Sequence, residues 1–117
     1  KYTKDHEWLK IEGNIAVVGI TDFAQGQLGD IVYVDIQTEG ESLSQGEVFG
    51  AIEAVKTVAD GLMPVSGKVL EINPNLEASP ELVNKDPYGE GWMIKIEISN
   101  LEEINSLLDS EAYKAII

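Results

Sequence analysis

Between Gly46 and Gly67 the chain carries one basic residue, Lys56, and the two ends of the stretch echo each other as Gly46-Glu47-Val48 and Gly67-Lys68-Val69. Each glycine follows a serine-containing turn and precedes residues that suit a strand. The pattern predicts two strands related by a local two-fold, with Lys56 at the tip between them. Rigid ladders beneath a tip fix where its side chain starts and hold it in solvent. A primary amine on a four-carbon stem is a natural point for acyl attachment. A plainer reading competes with this one, because a lysine amid apolar residues is also an ordinary edge-strand charge that discourages aggregation. Val55-Lys56-Thr57-Val58 contains none of the Gly, Asn or Pro that mark a turn. Spacing alone favours the plainer reading.

The rest of the chain reads as short strands punctuated by turns. Leu9-Lys10-Ile11-Glu12 alternates and Gly13-Asn14 is a hairpin turn, with Ile15 to Ile20 returning. Thr21 predicts an N-cap for a helical piece over Asp22 to Leu28, stopped by Gly29. Ile31 to Ile36 is β-branched and aromatic, hence a strand. Lys68 to Ile72 is another, ended by Asn73-Pro74-Asn75. Ser79-Pro80-Glu81 predicts one helical turn with serine capping and proline first. Trp92, Ile94, Ile96 and Ile98 line one face of a strand, with Met93, Lys95 and Glu97 on the other. A C-terminal helical region over about 100–115 follows. A capping box of Ser99 with Glu102, or Asn100 with Glu103, opens it, and Leu101, Ile104, Leu107 and Leu108 form a buried stripe. Strands at such intervals, with helices at the edges, imply a mainly β fold of two small packed sheets.

Bulk properties narrow the function. At 117 residues one core, hence one domain over 1–117, is expected. Twenty-one acidic against eight basic side chains give a net charge of −13, which argues against nucleic acid and anionic membrane surfaces. There is no cysteine, so disulfides and thiolate chemistry are excluded; with a single histidine, no metal site is expected. No run approaches the ~20 apolar residues of a membrane span.

The residue identities add a resemblance. Glu53-Ala54-Val55-Lys56-Thr57, with Asp60, Pro64 and Ser66-Gly67, resembles the lipoyl-attachment segment of the glycine cleavage H proteins. His6-Glu7-Trp8, Gly19 to Gln25, Leu28-Gly29-Asp30, Leu82-Val83-Asn84 and Gly89 to Trp92 resemble that family's blocks, in order and spacing, over nearly the whole chain. Ala54, Thr57 and Ala59 depart from its usual residues at the tip. The resemblance implies a barrel-sandwich hybrid fold and lipoic acid in amide linkage on Lys56. It implies a non-catalytic carrier of the aminomethyl group of glycine, passed from a decarboxylating P protein to an aminomethyltransferase T protein. A dihydrolipoyl dehydrogenase L protein and a lipoylating enzyme are the further partners. A monomer is expected, in the cytoplasm, or in the mitochondrial matrix if a transit peptide has been removed.

The resemblance also assigns sites. It places His6, Glu7 and Asp60 beside a cleft for the loaded arm, and Glu53 in partner recognition; no catalytic residue is expected. Residue chemistry alone makes His6 a surface histidine beside Trp8, since strand neighbours point to opposite faces and His6-Glu7 would not form a dyad. It makes Glu53 and Asp60 a solvated pair, worth on the order of 0.2–1 kcal/mol even if an ion pair forms. Asp86 to Gly91 is a turn, not a phosphate cradle, and Trp8 and Trp92 are core or cleft wall. Three rivals compete with the family. A biotinyl domain would carry methionines beside the lysine, and a 2-oxoacid dehydrogenase lipoyl domain would carry Asp-Lys-Ala at the tip. A Schiff-base enzyme would need Lys56 desolvated in a pocket. The alternative function is a lipoylated donor or regulatory carrier outside glycine catabolism.

Overall fold

The computed structural model describes residues 1–117. Its strands are β1 (Glu7–Glu12), β2 (Ile15–Ile20), β3 (Ile31–Asp35), β4 (Ser42–Leu43), β5 (Val48–Ala54), β6 (Val58–Leu62), β7 (Gly67–Ile72) and β8 (Ile94–Ile98). They form a five-stranded sheet in the order β1-β2-β8-β7-β4 and a three-stranded sheet in the order β3-β5-β6. All pairings are antiparallel.

Period-two alternation decides which side chains face inward. Ala16, Val18 and Ile20 of β2, Val69 of β7, and Ile94, Ile96 and Ile98 of β8 are buried from the larger sheet. Ile31, Phe49 and Ile52 join them from the smaller one, and Leu76, Val83 and Met93 complete the same core. Met93 was expected on the outer face of the strand. It precedes β8 and is fully buried, its N–H bonded to the Val18 carbonyl.

The helices are short: α1 (Asp22–Leu28), α2 (Asn75–Ala78), α3 (Leu82–Lys85) and α4 (Ser110–Lys114). Thr21 caps α1 by accepting from the Ala24 N–H, and Gly29 ends it at φ 79°, a conformation glycine adopts without steric cost. Ser79 does not cap a helix as expected. It closes the unanticipated α2 through its N–H to Asn75, and α3 begins only at Leu82.

The C-terminal region differs most from expectation. Residues Leu101–Ser106 form a 3-10 helix, and the chain is extended again at Leu107. Leu108 forms a β-bridge with Tyr2, so the backbone has to leave the helical conformation there. Leu101 is exposed, while Ile104, Leu107 and Leu108 are only half-buried. The buried anchor of the region is Tyr113 in α4, its ring stacked on Tyr2 at 4.7 Å.

Candidate functional site

Lys56 stands at the turn between β5 and β6, where the ladder closes with Glu53 opposite Val58. Two further bonds shape the turn. The Ala54 N–H donates to the Thr57 carbonyl at 2.8 Å, and the Val55 N–H donates to the Asp30 carbonyl at 3.0 Å. These bonds supply what Gly, Asn or Pro would give an isolated hairpin. The expected strands around Lys56 therefore exist, but the repeats at Gly46 and Gly67 lead into different sheets.

The Asp30 carbonyl is itself held. Asn84 of α3 donates to the Gly29 carbonyl and to the Gln25 side chain, both at 2.9 Å, and accepts from the Ile31 N–H at 2.9 Å. One amide thus fastens the end of α1 and the start of β3 on either side of Asp30. Nothing in the sequence around Leu82-Val83-Asn84 signals this clasp, because its partners lie more than fifty residues away.

The Lys56 side chain is exposed, and the one salt bridge of the protein joins Lys95 to Glu71 instead. Its stem passes over Gly29, whose missing Cβ would lie 3.5 Å from the lysine Cε. Adjacent to Gly29, Leu28 opens a cavity of about 170 Å³ that is also lined by Ile52, Ala59, Asp60, His6 and Glu7. Asp60 lies four residues beyond Lys56, about 13 Å of strand. His6, Glu7 and Asp60 are thereby brought together, with Asp5 beside them. Glu53 does not join them. It sits half-buried between Tyr33 on β3 and Val58 on β6, both exposed.

Each group in the cavity wall has a distinct environment. Glu7 is 2% exposed. Burial pushes its carboxyl up to about 7, against hydrogen bonds from the Thr3 hydroxyl at 2.6 Å and the Leu62 N–H at 3.3 Å. His6 precedes β1 rather than belonging to it, with φ 71°, the one non-glycine residue at positive φ. It is therefore not a strand neighbour of Glu7 in the expected sense, and both residues line the same cavity. The His6 ring lies 4.9 Å from Phe23, and its Nδ1 is 2.7 Å from the Tyr113 hydroxyl. Trp8, buried, donates from Nε1 to the Pro87 carbonyl at 2.9 Å and is core.

The arrangement is an exposed primary amine on a hydrogen-bonded tip near a small cavity lined by both apolar and acidic residues. It suits an extended acyl arm: a reachable attachment point, Leu28, Ile52 and Ala59 for a hydrocarbon stem, and acidic groups for a cationic end. No group of three or more metal-ligating side chains is present, and no helix is long and apolar enough to cross a membrane.

Comparison with known proteins finds one family over the full length. The family model for the glycine cleavage H-protein matches residues 1–117. The glycine cleavage system H protein of Bacteroides fragilis is 62% identical over 117 residues, which are 100% of this chain and 93% of that one. The H protein of Symbiobacterium thermophilum is 58% identical over 115 residues, covering 98% and 90% of the two chains. Among solved structures, the H protein of Mycobacterium marinum superposes with a TM-score of 0.88 at 38% identity, covering 97% of this chain and 92% of that one.

Proposed function

The chain belongs to the glycine cleavage H-protein family, and from that premise we propose that residues 1–117 form one carrier domain whose arm is built on Lys56. A lipoyl group in amide linkage supplies a redox-active disulfide at the end of a long apolar stem, able to take up and hand on the aminomethyl unit of glycine. The protein supplies attachment, reach and shelter, with no catalytic residue of its own. Tethering makes each hand-over nearly intramolecular within a docked complex. The donor is the P protein, the acceptor the T protein, the reoxidant the L protein, and a lipoylating enzyme installs the arm. Cytoplasm is the compartment this reading expects.

The observation that carries the reading is the exposed Lys56 amine on a tip whose neighbouring residues, Leu28 and Asp60, line a cavity shared with Glu7. Burial makes an ionised Glu7 costly until a cation arrives, and a cationic amine in the groove satisfies it through charge-assisted hydrogen bonds. Leu28, Ile52 and Ala59 cover the stem, at about 0.8 kcal/mol per buried methylene. Glu53, framed by the exposed Tyr33 and Val58 on the outer face of the tip, is the recognition point for partners that must find Lys56. The test is chemical loading of lipoylated protein, followed by spontaneous formaldehyde release from wild type, Glu7→Gln and Asp60→Asn. Faster release from both variants is expected, and equal rates in all three would leave Lys56 a bare tether.

A further inference from the structure

His6, the only histidine in the chain, is fixed by a residue 107 positions away. The Tyr113 hydroxyl lies 2.7 Å from His6 Nδ1 and 2.6 Å from Thr21 Oγ1. Thr21 Oγ1 already accepts from the Ala24 N–H at 3.2 Å, as the cap of α1. The backbone on either side is pinned as well: the His6 N–H donates to the Thr3 carbonyl and the His6 carbonyl accepts from the Thr21 N–H.

Counting protons sets the direction of this chain. Thr21 is fully buried, and the Tyr113 oxygen is the only acceptor within reach of its hydroxyl proton. If Thr21 donates to Tyr113, the Tyr113 proton goes to His6 Nδ1, which must then be bare, and the neutral ring carries its proton on Nε2. In the opposite direction His6 Nδ1–H donates to Tyr113 and Tyr113 donates to Thr21, which strands the proton of the fully buried Thr21 without a protein acceptor. If Tyr113 accepted from both neighbours, its own proton would be stranded instead. Buried polar groups are found paired, so the first direction holds.

We infer that Tyr113 is a positioning residue for the arm cleft: through its hydroxyl it holds His6 in one orientation and in the Nε2–H form, so that the ring offers the cleft no free lone pair. This rests on the arm-cleft reading above. The consequence concerns the cargo. A neutral ring with a bare nitrogen facing the cleft carries no negative charge to hold the cationic amine and offers a lone pair that can accept its proton. The freed nitrogen lone pair then forms a carbon–nitrogen double bond as the carbon–sulfur bond breaks, the electron pair leaving on sulfur. Water adds to give formaldehyde and ammonia. With Nδ1 occupied by Tyr113, the side-chain acceptors left for the amine are the Gln27 amide oxygen and the carboxylates of Asp5, Glu7 and Asp60, whose negative charge, where ionised, favours the protonated amine. Burial also raises the Tyr113 phenol above its ordinary range, keeping it a donor.

The single histidine makes the test unambiguous. Long-range nitrogen–proton NMR of the lipoylated protein, at a pH where the ring is neutral, is expected to show bare Nδ1 and protonated Nε2. Tyr113→Phe keeps the ring stack on Tyr2 and removes the hydroxyl. It is expected to average the two ring forms and to speed formaldehyde release from loaded protein roughly five-fold, the factor one lost hydrogen bond is worth. Thr21→Val leaves Tyr113 in place but removes the proton that sets the direction, and should also give mixed ring forms. A wild-type ring protonated on Nδ1, or a His6 spectrum unmoved by Tyr113→Phe, overturns the inference. So does a changed spectrum with an unchanged release rate while Glu7→Gln and Asp60→Asn release faster. If those two carboxylate variants also release at the wild-type rate, the arm-cleft reading fails and the inference falls with it.

Discussion

The Val55 N–H donates to the Asp30 carbonyl at 3.0 Å, so the hairpin bearing Lys56 is tied to the loop between α1 and β3 as well as to its own ladder. A two-stranded tip on its own is marginally stable in water. This bond, with Asn84 gripping the residues on both sides of Asp30, makes the tip a fixed base for the exposed Lys56 side chain.

Asn84→Ala is therefore expected to loosen the tip from a distance. It removes two donated bonds and leaves the N–H of the buried Ile31 unpartnered, at a cost of about 1–3 kcal/mol. Chemical denaturation gives the stability change, and amide exchange at Val55 reports the tip. Unchanged Val55 protection would show that the clasp does not reach Lys56.

Glu7 gives the protein a pH dependence opposite to that of a salt-bridged carboxylate. Burial raises its folded-state pKa from 4.5 to about 7, so the folded protein holds this proton more tightly than the unfolded chain does. The stabilisation is full below about 4.5 and is lost as pH rises to about 7. Its size is on the order of 3 kcal/mol. Urea unfolding across that window should show a shallower fall for Glu7→Gln than for wild type, and matching slopes would contradict the assignment.

At the C-terminus, Tyr113 and not the leucine stripe holds the segment. Ile104 is half-buried, so Ile104→Ala should cost about 1 kcal/mol, below the range for a fully buried isoleucine. Tyr113→Ala removes a buried aromatic side chain and should cost about 3–5 kcal/mol. Thermal melts of the two variants check the order, and a larger loss at Ile104 would reverse it.

The contrast at this end shows where sequence reasoning stops. Strands such as β2 and β8 were legible because alternation records burial on one face, and Thr21 and Gly29 marked the ends of α1 by their own chemistry. The stripe from Leu101 to Leu108 has helical spacing but does not form one α-helix. Asn100 caps the Glu102 N–H, while Glu103 turns away to bind the Ser66 N–H and hydroxyl, and Leu108 pairs with Tyr2. Those partners lie tens of residues off, and no local pattern encodes them. The same holds for Asn84 beneath the tip and for Tyr113 against His6. Lys56 was singled out by its neighbours' identities, and the groove beside it by resemblance; the burial of Glu7 had no signal in a charged residue's name.

The central claim is that Lys56 is the acylated residue, and mass measurement tests it most directly. Protein made in a lipoate-supplied host with a lipoylating enzyme should gain the mass of one lipoyl group, and peptide mapping should place it on Lys56. Lys56→Arg should gain none while melting within about 0.5 kcal/mol of wild type, as an exposed substitution does. A lipoyl group on another lysine, or one still present in Lys56→Arg, would contradict the account.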